Sequence, residues 1–346
     1  MSTKPFIAAR VEEFLDRRLE ALFRALGWRE QVIGYAGYGS SEFVRVLARV
    51  VLVPQWSRSQ LGRATKEFVK RRGWRSFITA PCVRASVTFT LGERRVTVLS
   101  DRGGYLDHRI TPHDFEPGWH SITAQTAQSR PSECPVLIVG DDTTFGLVSD
   151  IDDTILTTWL PRPMIAAWNS FVRDESNRQS IPGMARFYQR FLDTHPGAVM
   201  VYLSTGAWNT FHFLTRFIDE HHYPRGPLLL TDWGPTNTGW FRSGMEHKRT
   251  NLLRLAADFP RVRWLLVGDD GQHDPEIYAE FTRSHPTHVA AVAIRQLSPT
   301  EQVLAHGTNM PLDEPDESTK TDDTWVEAPD GRGLAAQLRP LLDERP

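Results

Sequence analysis

The chain has 346 residues, of which 40% are hydrophobic and 24% charged, and its formal net charge is −2 at pH 7. This composition is typical of a globular protein with enough apolar residues for a core, and the balanced charge gives no reason to expect a nucleic acid partner. Two cysteines are too few for a disulfide framework and favour a reducing compartment such as the cytoplasm. No apolar run approaches the roughly 20 residues of a membrane-spanning helix, so we expect any membrane contact to be peripheral.

Residues 1–140 are predicted to form a helix followed by a small β-rich domain. The opening segment, MSTKPFIAARVEEFLDRRLEALFRALGW, repeats its apolar residues at the spacing of a helix. Short apolar and β-branched runs follow it, separated by turn residues: FVRVLARVVLV, CVRASVTFTL, RRVTVLSD and HSITAQ. Short strands with such punctuation are typical of a sandwich-like antiparallel domain.

Residues 141–298 alternate apolar runs of strand length with helical patterns. The runs are FGLVS, AVMVYLS, PLLLTDW, VRWLLVGDD and HVAAVAIRQL. Nearly continuous apolar strands separated by helices predict a parallel sheet with both faces covered. The predicted fold class is therefore α/β, a three-layer Rossmann-like domain around a five-stranded parallel sheet.

Residues 299–346 have a third composition. They are rich in proline, glycine and acids, and poor in apolar residues until the closing GLAAQLRPLLDERP. This composition predicts a mobile acidic tail that ends in a short helix.

Polar side chains collect where the strands of the predicted α/β domain end. Because the carboxyl ends of parallel strands meet at one edge of the sheet, we expect these side chains to lie together. Lys248 opens the helix before the fourth strand and is expected at the same edge. The strand-end residues are Asp150, Asp152 and Thr154 after the first strand, Ser204 and Thr205 after the second, and Asp269, Asp270 and Asp274 after the fourth.

The crowded carboxylates predict a bound metal ion. Each anion raises the pKa of its neighbours, so these acids alone would destabilise the edge of the sheet. Mg²⁺ takes oxygen ligands and usually keeps waters and a phosphate oxygen in its coordination shell. We therefore expect Mg²⁺ to be shared between Asp150, Asp152 and the later acids.

Phosphoryl transfer is a reaction that needs this set of groups. A carboxylate can attack phosphorus and form an aspartyl-phosphate. A second carboxylate can protonate the leaving oxygen and then activate water to hydrolyse the intermediate. A lysine and a metal ion neutralise the charge on the phosphoryl oxygens, and strand-end hydroxyls orient the group.

The order of these motifs resembles that of a known superfamily. Asp-x-Asp-x-Thr, a strand-end Ser/Thr, a Lys and Gly-Asp-Asp resemble the four motifs of the haloacid dehalogenase superfamily of phosphatases, and the resemblance covers residues 145–296. More narrowly, SDIDDTI, GPLLLTDWG, FRSGMEHK and VGDDGQHDPEIY resemble the Mg²⁺-dependent phosphatidate phosphatase family typified by the fungal actin-patch enzyme.

The resemblance implies a role for each matching residue. Asp150 is expected to be the nucleophile, Asp152 the general acid and base, and Lys248 the stabiliser of charge. Asp269 is expected to bind the metal, while the choice between Asp270 and Asp274 as a further ligand is open. The predicted substrate-binding hydroxyls are those of Ser204, Thr205 and Thr154, and the full set of candidate metal ligands is Asp150, Asp152, Asp269, Asp270 and Asp274.

The expected function is hydrolysis of phosphatidate to diacylglycerol and phosphate. The second motif departs from the fungal pattern, because residues 204–208 read STGAW, keep the first hydroxyl and lack a later Ser-Pro. A phosphatase of a soluble phosphoester or phosphoprotein is therefore an alternative. A non-catalytic adaptor that binds lipid or protein is the alternative from another class.

The segment RSQLGRATKEFVKRRGWR, at 58–75, is strongly basic and contains two aromatic residues. One interpretation is a peripheral contact with an anionic membrane, where each basic side chain near the surface contributes about 1 kcal/mol. The other interpretation is an ordinary solvated loop or helix face.

Overall fold

The computed structural model of the chain describes residues 18–54, 80–157, 179–231, 244–306 and 324–343. The described residues divide into two compact units, one that ends at residue 139 and one that begins at residue 140. The basic segment at 58–75 lies outside the described residues. Within the described residues, no helix is both long enough and apolar enough to cross a membrane.

The first unit is β-rich, as predicted. Among its described residues, a helix over residues 18–25 precedes eight strands. The strands run in the order β3-β2-β1-β8-β7-β4-β5, and β6 also pairs with β2. Their bounds are β1 (Arg29–Gly39), β2 (Val44–Val53), β3 (Ala80–Pro81), β4 (Ser86–Leu91), β5 (Arg94–Leu99), β6 (Tyr105–Ile110), β7 (Gly118–Gln125) and β8 (Ser132–Ile138).

The side chains of β4 and β8 alternate between buried and more exposed positions. In β4, Val87, Phe89 and Leu91 are buried while the residues between them are more exposed, because successive side chains of a strand point to opposite faces. The buried residues join one core cluster with Ile122 and Val136. The strands form one continuous hydrogen-bonded sheet rather than the two sheets of a sandwich, and its β1–β8 pair is parallel.

The second unit alternates strands and helices around a parallel sheet. The strand order is β11-β10-β9-β12-β13-β14, and every neighbouring pair is parallel. The strands are β9 (Phe145–Ser149), β10 (Val199–Ala207), β11 (Leu228–Thr231), β12 (Arg263–Asp269), β13 (Val289–Arg295) and β14 (Trp325–Ala328). The helices are α1 (Met184–Thr194), α2 (Phe211–Glu220), α3 (Gly244–Asp258), α4 (Asp274–Ser284), α5 (Pro299–His306), α6 (Gly331–Gln337) and α7 (Arg339–Asp343).

Burial of apolar side chains holds these layers together. The central strands β9, β12 and β13 are almost entirely buried, which explains their continuous apolar sequences. In α1, the buried residues Met184, Phe187, Tyr188 and Phe191 recur at helical spacing. Each such side chain contributes about 1.5–3 kcal/mol when it is fully buried.

The sheet has six strands within the described residues, whereas the sequence predicted five. The additional strand is β14, which pairs with β13. Val326, Leu334 and Leu342 are buried, so residues 324–343 belong to the α/β unit and not to a mobile tail. The pattern was missed because β14 has only four residues and follows a long acidic segment.

Candidate active site

The site lies where the direction of chain progression through the sheet reverses. From β9 the chain proceeds to β10 and β11 on one side, and it later proceeds through β12, β13 and β14 on the other. The carboxyl ends of β9 and β12 are therefore adjacent at a topological switch point, where ligands of open α/β sheets bind. Asp150 follows β9 and donates its backbone N–H to the carbonyl oxygen of Val267 at 2.9 Å, while Asp269 ends β12.

Lys248 joins two of the predicted acids. Its Nζ lies 2.6 Å from Asp150 Oδ1 and 2.5 Å from Asp274 Oδ1. All three side chains are buried, with exposures of 2%, 1% and 1%. Asp150, Asp269 and Asp274 each offer a carboxylate oxygen, and these oxygens lie within 4.8 Å of one another. We call Asp150, Asp269, Asp274 and Lys248 the acid–lysine cluster.

Helix starts and one glycine bring this cluster together. Lys248 lies in the second turn of α3, and Asp274 is the first residue of α4. The backbone of Gly268 makes room for the Asp274 carboxylate, since a Cβ at Gly268 would lie 2.5 Å from Asp274 Oδ2. That distance is shorter than any ordinary contact, so we infer that β12 needs glycine immediately before Asp269.

Thr154 connects the first motif to the fourth. Its hydroxyl lies 3.2 Å from Asp150 Oδ2 and 3.3 Å from Asp269 Oδ2. A hydroxyl has one proton to donate, so it can satisfy only one of these carboxylates at a time. Asp269 Oδ1 also accepts a hydrogen bond of 2.8 Å from the backbone N–H of Gly271.

Burial and mutual repulsion dominate the electrostatics of the cluster. Burial raises the pKa of Asp150 to about 8, with Lys248 opposing the shift and Asp274 adding to it. Burial and then the carboxylates of Asp274 and Asp150 raise the pKa of Asp269 well above its usual range. Burial lowers the pKa of Lys248, but its two carboxylate partners outweigh burial and raise it overall.

The cluster fits a hard cation. In the part of the chain that the structure describes, oxygens of three carboxylates converge, and two of these carboxylates contact one ammonium group. Asp274 Oδ2 is buried and accepts no hydrogen bond from the described residues. A buried, unsatisfied carboxylate oxygen is costly in protein surroundings, and oxygen atoms are the ligands that Mg²⁺ prefers. The buried acids are therefore consistent with a metal site.

Asp152 and Ser204 form a second pair beside the cluster. Ser204 donates its hydroxyl to Asp152 Oδ2 at 3.2 Å and accepts a hydrogen bond of 2.8 Å from the N–H of Gly206. Asp152 is partly exposed, unlike Asp150, and it is not among the three acids whose oxygens converge. Thr205 follows Ser204, and its side chain faces Gly244, where a Cβ would lie 2.6 Å from Thr205 Cγ2.

Asp270 lies apart from the converging acids. Its Oδ1 accepts hydrogen bonds from the backbone N–H of Leu297 at 2.8 Å and from Gln302 Nε2 at 2.7 Å. These bonds tie the end of β12 to the segment that starts α5. Of the two acids that sequence left open, Asp274 shares the cluster with Asp150 and Asp269.

Sequence reasoning missed the residues that surround these side chains. Ser149 donates its hydroxyl to the carbonyl oxygen of Asp150 at 2.6 Å and lies 2.7 Å from the hydroxyl of Tyr188. Arg295 is buried at the end of β13 and donates to the carbonyl oxygen of Asp153 at 2.7 Å. The sequence could have indicated Arg295 as a candidate, because it is a charged residue that directly ends an apolar strand.

Fold and site together define an α/β domain with a buried acid–lysine cluster at the carboxyl edge of its sheet. Residues 145–296 match the model of a family described as phosphatidate phosphatase APP1, catalytic domain. The predicted resemblance to the phosphatidate phosphatase family is thereby confirmed for this region.

Two fungal proteins are similar over the same part of the chain. The phosphatidate phosphatase APP1 of Saccharomyces cerevisiae is 30% identical over 153 residues, which are 44% of this chain and 26% of that protein. An uncharacterized protein of Schizosaccharomyces pombe is 25% identical over 167 residues, which are 48% of this chain and 27% of that protein. The match thus spans about a quarter of the length of these relatives.

A solved carbohydrate acetylesterase from Xanthomonas citri aligns with 88% of this chain and 73% of its own, at 10% identity and a TM-score of 0.26. A similarity this low carries no argument about the fold or the function.

Proposed function

We propose that the α/β unit hydrolyses phosphate monoesters through an aspartyl-phosphate on Asp150, with Mg²⁺ as cofactor, in the manner of the haloacid dehalogenase superfamily. The observation that carries the proposal is the buried contact of Lys248 with Asp150 and Asp274, beside Asp269. Burial of several like charges around one lysine is costly for a purely structural cluster. Such a cost is typical of a site that binds a charged ligand.

The reaction uses the two carboxylates of the first motif in turn. An oxygen of Asp150 attacks phosphorus, the bond between phosphorus and the ester oxygen breaks, and Asp152 gives its proton to the leaving oxygen. Asp152 then takes a proton from water, whose oxygen attacks the phosphorus of the aspartyl-phosphate. Phosphate leaves and the Asp150 carboxylate is restored. The partial exposure of Asp152 supports its exchange of protons with substrate and water.

The other cluster residues hold the phosphoryl group and its charge. Lys248 stabilises the negative charge that shifts onto the phosphoryl oxygens, and Ser204, Thr205 and Thr154 offer hydroxyls to them. Asp150, Asp269 and Asp274 would hold Mg²⁺, which when bound neutralises charge on the phosphoryl group. We leave two predicted ligands, Asp152 and Asp270, out of this set because they are not among the three acids whose carboxylate oxygens converge.

The proposed substrate is phosphatidate, which would yield diacylglycerol and phosphate. The match of residues 145–296 to the phosphatidate phosphatase catalytic domain supports this choice. The altered second motif, STGAW at 204–208, favours a test of soluble phosphoesters alongside the lipid. A non-catalytic adaptor has less support, because it gives no reason to keep the acid–lysine cluster. Peripheral membrane contact through 58–75 stays a prediction, as does the absence of a nucleic acid partner.

Phosphate release from phosphatidate vesicles and from a soluble aryl phosphate tests the proposal. We expect the wild-type chain to release phosphate from the vesicles with Mg²⁺ and not with EDTA, and Asp150→Asn to lose activity by about 10³-fold or more. Asp142→Asn is the matched control, because Asp142 is an exposed acid in the loop before β9. Release from the aryl phosphate alone would reject the lipid substrate. An active Asp150→Asn variant would reject the mechanism.

A further inference from the structure

Arg295 connects the turn of the first motif to three other parts of the α/β unit. It ends β13 and pairs in the sheet with Asp269 of β12. Its side chain is buried, with 6% exposure. Nη1 donates to the carbonyl oxygen of Asp153 at 2.7 Å, Nη2 to Glu301 Oε1 at 2.7 Å, and Nε to the carbonyl oxygen of Pro329 at 3.2 Å.

The turn that accepts this hydrogen bond has an unfavourable backbone conformation. Asp153 has a φ of 58°, in the left-handed region that favours glycine, and a residue held there costs about 1–3 kcal/mol. The N–H of Asp153 donates to the carbonyl oxygen of Leu156 at 2.8 Å. Arg295 holds the other side of the same residue through its carbonyl oxygen. These two bonds hold Asp153 on both sides within the turn over residues 150–156, which also has backbone hydrogen bonds to the carbonyl oxygen of Ile151.

The charge of Arg295 is already balanced. Glu301 accepts its Nη2 at 2.7 Å in a largely buried pair, and the same carboxylate accepts hydrogen bonds from the N–H and hydroxyl of Ser298, both at 2.8 Å. The guanidinium therefore offers the turn a fixed donor rather than a positive charge to offset the acids of the cluster.

We propose that Arg295 is a positioning residue of the site, which holds the 150–156 turn so that Asp150, Asp152 and Thr154 keep their places beside Asp269. The consequence for catalysis rests on the proposed function. The consequence for the turn itself does not, because the hydrogen bond from Arg295 to Asp153 involves protein atoms alone.

A purely structural role makes a different prediction. Arg295 also contacts α5 through Glu301 and the segment before α6 through Pro329, so its loss is expected to lower stability in either case. Glu301→Gln is the matched control: it removes the charge of the ion pair, keeps an amide oxygen that can accept from Nη2, and leaves the bond to Asp153 in place. Arg295→Lys and Arg295→Gln remove the planar fork that reaches three acceptors at once.

Three measurements on the full chain separate the two roles: hydrogen exchange of the 150–156 amides without metal, the Mg²⁺ concentration for half-maximal phosphate release, and Mg²⁺ affinity by calorimetry. In both Arg295 variants we expect faster exchange in the turn, and an increase of about 10-fold or more in the Mg²⁺ requirement and dissociation constant. Glu301→Gln is expected to lose a similar amount of thermal stability and to keep all three wild-type values.

The outcomes are distinct from those that test the proposed function. The positioning role is overturned if hydrogen exchange of the 150–156 amides is unchanged in Arg295→Lys. It is also overturned if Glu301→Gln changes this exchange as much as the Arg295 variants do. Arg295→Lys keeps the charge and is the variant that decides if Arg295→Gln does not fold. A wild-type chain that binds no Mg²⁺ and releases no phosphate rejects the proposed function, and the exchange measurement still decides the role of Arg295.

Discussion

The two units of the molecule each bury basic side chains, but they balance them differently. In the β-rich unit, buried Arg45 donates from Nε and Nη2 to the two carboxylate oxygens of Asp107 and from Nη1 to the hydroxyl of Tyr38. The side chain of Asp107 is 49% exposed, so water reaches the acid of this pair. In the α/β unit, Lys248 is surrounded by carboxylates whose side chains are about 1% exposed.

This difference indicates that Arg45 has a structural role, whereas the surroundings of Lys248 are those expected of a binding site. One arginine with one half-exposed acid is a balanced pair that needs no further ligand. One lysine cannot balance three buried carboxylates when all of them are ionised, and burial and mutual repulsion therefore raise the pKa of Asp150 and of Asp269. Ionisation of all three acids is costly in the folded chain, and a bound cation would remove that cost.

Replacement of the two basic residues by methionine is expected to give the largest contrast. Lys248→Met leaves Asp150 and Asp274 without their shared partner, so we expect a loss of about 3–5 kcal/mol in the free energy of unfolding. We also expect turnover to fall by about 100-fold or more, because the proposed stabiliser of phosphoryl charge is lost. Denaturant unfolding in EDTA and phosphate release with Mg²⁺ measure the two effects.

Arg45→Met is the control for that experiment. Asp107 can be solvated when its partner is removed, so we expect a loss of only about 1–2 kcal/mol and unchanged turnover. Equal losses of stability in the two variants would contradict the view that the α/β unit carries the unbalanced charge. Mg²⁺ is also expected to stabilise the wild type. We expect it to leave the loss of stability caused by Arg45→Met unchanged.

The dependence of stability on pH is expected to show an intermediate effect. The pKa of Asp150 in the folded chain is raised to about 8, whereas an unperturbed aspartate has a pKa of about 3.9. Between these values the folded chain binds a proton that the unfolded chain does not. Its contribution to stability is therefore lost as the pH rises toward 8, by up to about 1.4 kcal/mol per pH unit.

The proposed Mg²⁺ would bind the deprotonated carboxylates, so its effect on thermal stability is expected to increase over the same interval. We expect the difference in melting temperature with and without Mg²⁺ to be larger at about pH 8 than at about pH 6. Asp150→Asn, which cannot titrate, is expected to show a smaller change. A Mg²⁺ effect that does not vary with pH in the wild type would contradict this account of Asp150.

The sequence predicted the elements of the α/β unit because its periodicity is strong and its motifs lie at strand ends. The acid–lysine cluster followed from the rule that parallel strands share a carboxyl edge, and the structure places Asp150, Asp269 and Lys248 together there. The rest depended on tertiary contacts. β14 has too few residues for a periodic signal, and the bond from Arg295 to the carbonyl oxygen of Asp153 involves a backbone atom that no side-chain motif reveals.

The choice between Asp270 and Asp274 also depended on tertiary contacts that the sequence does not reveal. Both follow β12, and only the backbone decides which carboxylate faces Asp150. Gly268 makes room for Asp274 at the start of α4, whereas Asp270 is held by Leu297 and Gln302.

Of the substitutions considered, Asp270→Asn is expected to have the smallest effect on stability and on the Mg²⁺ requirement, and Asp274→Asn is its comparison. An asparagine at 270 can still accept hydrogen bonds through its amide oxygen, so Asp270→Asn should cost about 1 kcal/mol or less and leave the Mg²⁺ requirement unchanged. Asp274→Asn removes a proposed ligand and a partner of Lys248, so we expect the Mg²⁺ requirement to rise by about 10-fold or more. Phosphate release over a Mg²⁺ titration measures both, and an equal rise in the two variants would restore Asp270 to the proposed ligand set.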